Sequence, residues 1–152
     1  ELFSFREELT EKEIGQFVNE LSEVSLDSFI KAFEMGKNKI KEYPHCDSLI
    51  YSIATVLNAA LTSSDVDDEK KLECNNVIVE WLERTAESPD RKGKDFQYFM
   101  LAAKYIQMEK YKEANIFLDK IPDTVIDATI MKTNVLAHQK GQILQRLFLE
   151  GN

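Results

Sequence analysis

The sequence predicts an all-α fold of about eight helices, and three observations predict it. Apolar residues recur at i, i+3, i+4 and i+7 along the chain. Only 5 Gly and 3 Pro interrupt the 152 residues, and most breaks coincide with polar turns. Nowhere does a β-branched run alternate apolar and polar residues between turn signals, as a strand requires. Residues 1–152 read as a single helical domain, long enough to bury its own core.

Each element has its own signals. Thr10-x-x-Glu13 is a capping box, and Ile14, Phe17, Val18 and Leu21 then follow at helical spacing. A second helix is expected after Ser25, with Phe29, Ile30, Phe33 and Ile40 on its stripe, stopping before Pro44. A third runs from Asp47 to about Leu61. Leu49, Ile50, Ile53, Val56, Leu57 and Leu61 make it apolar nearly all round, so it belongs at the centre of the fold. Ser63 to Asp68 form a polar loop and an N-cap with acids in the first turn. The fourth helix carries Leu72, Ile78, Val79, Trp81, Leu82 and Ala86, and Ser88-Pro89-Asp90 ends it. Two helices then flank the turn Met108-Glu109-Lys110 and end at Pro122. Two more, over 124–139 and 142–150, are separated by Lys140-Gly141.

The pair around that turn has the sharpest pattern. Tyr98-x-x-Leu101-Ala102-x-x-Tyr105 is answered by Tyr111-x-x-Ala114-x-x-x-Leu118-x-x-Ile121. Small Ala102 and Ala114 let two backbones approach, while Tyr98, Leu101, Tyr105 and Leu118 fill the seam. This spacing resembles the tetratricopeptide (TPR) helix pair, with Tyr98 in place of its Trp, Ala102 of its Gly and Leu118 of its Phe. The resemblance implies an α-α superhelix of antiparallel helix pairs, with 95–122 the clearest repeat and 47–87 and 124–150 divergent pairs, about the minimum for a stacked core. It also implies that Phe96, Phe99, Ala103 and Ile106 line a concave face. They would either contact an amphipathic peptide or small apolar molecule there, or be covered as core by the preceding helix.

A wider resemblance lies in Tyr43-Pro44-His45-Cys46-Asp47, Leu49-Ile50-Tyr51-Ser52-Ile53-Ala54, Trp81-Leu82-Glu83-Arg84-Thr85-Ala86-Glu87-Ser88 and the segment from Phe99 to Pro122. These stretches resemble bacterial helix-turn-helix regulators of the Cro/repressor-like (XRE) type, in which a TPR-like region follows a short DNA-binding domain. The resemblance covers roughly residues 25–150. It implies a cytoplasmic, non-enzymatic regulatory region that dimerises or senses a signal; the alternative is a free-standing TPR-like interaction module unrelated to DNA. The DNA-binding domain itself is not evident in this chain. Leu9 to Val18 echo its first helix, but Leu26-Asp27-Ser28-Phe29-Ile30 supply neither base-reading donors nor cations for phosphates.

Composition narrows the partners. Lys+Arg total 19 against Asp+Glu 27, a net −8, so the chain alone should not hold nucleic acid through a basic face. No apolar run approaches the ~20 residues of a membrane span. Catalytic and metal chemistry lack their usual groupings. His45-Cys46 is two soft ligands where zinc takes four, and only Cys74 and His138 remain. A Cys-His nucleophile pair would have neither an orienting acid nor an oxyanion hole. Asp65-x-Asp67-Asp68-Glu69 lacks the spacing and central Gly of a calcium loop, and helix-start acids account for it. No Gly-rich phosphate loop or other cofactor motif occurs. The partner expected is a second copy or another polypeptide. The expected interface is the apolar final segment, Leu144, Leu147 and Phe148, which has no later helix to cover it.

Overall fold

The computed structural model describes residues 8–87, 94–122 and 126–150. Among them are seven helices and no strand: α1 (Glu11–Asp27), α2 (Phe29–Glu42), α3 (Asp47–Thr62), α4 (Asp68–Ala86), α5 (Lys94–Gln107), α6 (Tyr111–Leu118) and α7 (Ile126–Glu150). The chain gathers into two compact units, residues 1–89 and 90–152.

In the first unit the helix starts follow side-chain chemistry. Thr10 Oγ1 accepts the Glu13 amide at 3.2 Å while Glu13 Oε1 accepts the Thr10 amide at 3.0 Å, closing the capping box that begins α1. Asp67 accepts the Lys70 amide at 2.8 Å and begins α4. The start expected at Ser25 lies three residues later. Ser25 Oγ donates back to the Ser22 carbonyl at 2.7 Å inside α1, so its hydroxyl is used within the helix. Ser28 is the cap instead, accepting the Lys31 amide at 3.2 Å.

The helix that is apolar all round, α3, is the hub of this unit, packing against α1, α2 and α4. Its Leu49, Ile50, Ile53, Ala54 and Leu57 are fully buried. Around it lie Leu21 of α1, Ala32 and Phe33 of α2, and Cys74, Ile78 and Leu82 of α4, all buried. Gly36 sets the distance of α2. A Cβ built there would come within 2.9 Å of Ile53 Cγ2 and 3.0 Å of Leu57 Cδ1. The Phe33 and Trp81 rings meet at 5.8 Å, joining α2 to α4. Lys39 lays its ammonium over Phe17 and Tyr43 at 5.2 and 5.4 Å, tying α1 to the end of α2. The Arg84 guanidinium donates to the Pro44 carbonyl, joining α4 to the same end of α2.

The second unit is the α5–α6 hairpin with α7 against α6. Its core is Ala102, Tyr111, Leu118, Ile121 and Val135, with Tyr98, Phe99, Ile106, Phe117 and Met131 packed on it. Glu109, in the turn, has φ 59°, a left-handed conformation unusual for a residue with a side chain. The break expected at Lys140-Gly141 is absent, so two predicted helices are one of 25 residues. A glycine inside a helix costs about 1 kcal/mol against Ala but does not forbid it. Gly141 has nothing within 4 Å of its would-be Cβ, so no packing demand acts there against the helix. The break expected at Ser88-Pro89-Asp90 lies outside the described residues.

Candidate functional site

Two features of the second unit concentrate the residues the sequence singles out: the α5–α6 seam and the distal half of α7. At the seam, Leu101, Ala102, Ala114 and Leu118 are fully buried. Phe117 stands between Tyr98 and Tyr105, its centroid 6.3 Å from the first ring and 5.8 Å from the second, nearly parallel to Tyr105 at 6°. The Lys120 ammonium caps this stack, 5.4 Å from the Tyr98 ring and 5.7 Å from Phe117. Tyr98 and Tyr105 recur at i and i+7 on α5 and reach the same partner, so the pair closes through aromatic contact as well as small-residue approach.

The four residues expected along a concave face do not share one environment. Phe96 is 62% exposed, whereas Phe99 and Ile106 pack on the unit's own core. Ala103 is half-buried. Phe99 and Ile106 pack on the cluster formed by Ala102, Tyr111, Leu118, Ile121 and Val135. Phe96, one turn before Phe99 near the start of α5, stays outside that cluster.

Another stripe of α5, not singled out by its letters, is buried. Gln97, Leu101 and Lys104 recur at i, i+4 and i+7, and Lys104 is only 4% exposed. Burial pushes its amine down from 10.5 to about 8, because an ammonium loses hydration there. The signal available in the sequence was that spacing around Leu101. Its polar ends, Gln97 and Lys104, carry no apolar signal of burial.

Distal α7 is the opposite case. Its first half is held to the unit by Val135 in the core, by Lys132 Nζ donating to the Ile121 carbonyl at 3.2 Å and by Asn115 Nδ2 donating to Gln139 Oε1 at 3.3 Å. The Tyr111 and His138 rings add a contact at 5.7 Å. From Lys140 to Leu149 every residue is exposed, among them Leu144, Leu147 and Phe148. With Leu136, the large apolar groups open there range from 53% (Leu136) to 73% (Phe148) exposed.

The sulfur and acid motifs end in structural places. Cys46 is buried at the start of α3, beside exposed His45. Cys74 is buried in α4, and desolvation raises its thiol pKa, which disfavours thiolate chemistry. Among the described residues no three His, Cys, Asp or Glu side chains converge as a metal site. No helix among them is long and apolar enough to cross a membrane.

Charge divides between the units. Residues 1–89 carry 9 Lys/Arg against 19 Asp/Glu, and residues 90–152 carry 10 against 8. No protein-family model, curated protein or solved structure matches this chain.

Proposed function

We propose that this chain is a non-enzymatic interaction domain, the regulatory region of a bacterial helix-turn-helix transcriptional regulator. It acts in the cytoplasm by dimerising or by binding a peptide or small molecule, with α5–α6 as a TPR-like repeat. The observation that carries the reading is distal α7, where large apolar side chains stand open on a helix whose base is fixed. A contiguous apolar surface of that kind is uncommon unless something binds it. The strongly acidic first unit fits a partner other than nucleic acid.

The full reading frame around this chain is the test. A basic helix-turn-helix segment of about 60 residues upstream, whose operator binding weakens when α7 is altered, supports the regulator. A start codon beside Glu1 would leave a free-standing interaction module and end the link to DNA.

A further inference from the structure

We infer that the groove between the α1–α2 junction and the α3–α4 loop is a docking site for a basic peptide segment, one large apolar side chain flanked by lysine or arginine. The groove lies wholly in the first unit, so it goes beyond the role read from α7 and stands or falls without it.

Three observations meet there. The first is size. Residues 25–30 and 63–66 bound a cavity of about 350 Å³, at the small end of the range for ligand sites, with room for a side chain or two. The second is apolar lining. Leu26 is 88% exposed, the most open large hydrophobic side chain among the described residues. A single exposed leucine is ordinary, but Ile30 and Val66, both half-buried, line the same groove and extend its apolar surface.

The third is charge. Asp27 and Asp65 line the groove from different elements, both are exposed, and neither has an ion-pair partner among the described residues. Asp27 is the last residue of α1, where the helix's own carbonyls already carry partial negative charge. No base stands in the last turn of α1 or of α3, which also ends here. Lys31, one turn into α2, does not line the groove. An acid at a helix C-terminus works against its helix, and local conflicts of this kind concentrate at functional sites.

The hydroxyls do not offset that charge. Ser25, Ser63 and Ser64 donate to the Ser22, Ala60 and Leu61 carbonyls, back onto the helices that precede them. Ser28 accepts the Lys31 amide, which answers the positive end of α2 at the groove. Two acids on separate elements call for two cations held apart by an apolar group, which a peptide backbone provides. The first unit, with 19 acids against 9 bases, draws such a segment in and repels an acidic one. Exposed ion pairs are individually weak, so the apolar side chain in the groove supplies much of the discrimination.

Fluorescence anisotropy on residues 1–152 tests the site with a labelled nonapeptide, a leucine with a lysine and an arginine on either side and glycines at both ends. Wild type is expected to bind it saturably. Replacing the peptide's leucine by glycine should weaken binding roughly tenfold, the cost of leaving that side chain unburied. Asp27→Lys/Asp65→Lys should weaken it roughly tenfold or more and should bind instead the peptide carrying glutamates in place of the bases. Both positions are exposed and Asp27→Lys suits the helix end, so this variant should melt no lower than wild type. Glu20→Lys/Glu80→Lys makes the same change of net charge outside the groove and should lose less than about threefold. No saturable binding, equal losses for the two charge reversals, or indifference to the peptide's leucine overturns the inference. Release of the peptide as rising protein concentration drives self-association overturns it too, giving the groove to a second copy. Specific binding by a chain whose reading frame lacks the helix-turn-helix segment upholds the groove and sinks only the regulator.

Discussion

Gly36→Ala places one methyl at the closest approach of α2 and α3, where its Cβ would stand 2.9 Å from Ile53 Cγ2 and 3.0 Å from Leu57 Cδ1. Two effects compete. Alanine is favoured over glycine in a helix interior by about 1 kcal/mol. Overpacking a tight core costs about 1–3 kcal/mol. Leu57 can yield, since its Cδ1 ends a flexible side chain. Ile53 Cγ2 is fixed to a β-branched carbon whose χ1 has one favoured state in a helix, so the backbones must part instead. The net expectation is a loss of about 0.5–2 kcal/mol. Urea unfolding followed by fluorescence of Trp81, the chain's only tryptophan and buried in the same unit, measures it. Ile53→Leu keeps the volume but moves the branch away from Cβ, so the double variant should recover much of the loss. A Gly36→Ala protein more stable than wild type, with the two substitutions additive, would refute the reasoning.

In the second unit, Ala102→Leu and Ala114→Leu should each cost about 1–3 kcal/mol in thermal unfolding followed by circular dichroism; two unchanged melts would place these alanines off the seam. Lys104 carries a pH signature. Its amine holds a proton up to about 10.5 when unfolded but only to about 8 when folded, so stability should rise as pH climbs between those values. Lys104→Met should remove that rise, whereas parallel pH profiles would refute a desolvated amine. Residues 1–152 alone should not retard duplex DNA at moderate salt; sequence-selective, salt-sensitive retardation would move a DNA-reading helix into residues 10–33.

What the sequence makes legible here is local. The Thr10 capping box, the acidic start of α4 and the Ala102/Ala114 pattern depend on neighbours within a turn or on one facing helix. Where several hydroxyls compete, letters alone do not decide: Ser25 and Ser28 are equally good caps until the Ser22 carbonyl takes the Ser25 hydroxyl. Gly141 reads as a break because its packing context, open space, is invisible in sequence. The candidate site fails in a different way. Phe96 and Phe99 look alike in a linear pattern, and only the packing around the unit's core draws Phe99 in while leaving Phe96 out. Lys104 and Gln97 hide for the same reason, since a polar letter on a helix reads as wet until a neighbour covers it.

The acidic balance of the chain sets how association should answer to ionic strength. Two copies bring together net charges of −8 each, and such like charges repel within about a Debye length, ~30 Å at 0.01 M salt. Added salt shortens that reach to ~10 Å at 0.1 M while leaving apolar burial intact or strengthened. Association should therefore tighten as salt rises. A contact built on phosphate loosens under the same titration, so one salt series separates protein pairing from nucleic-acid binding by the sign of its slope.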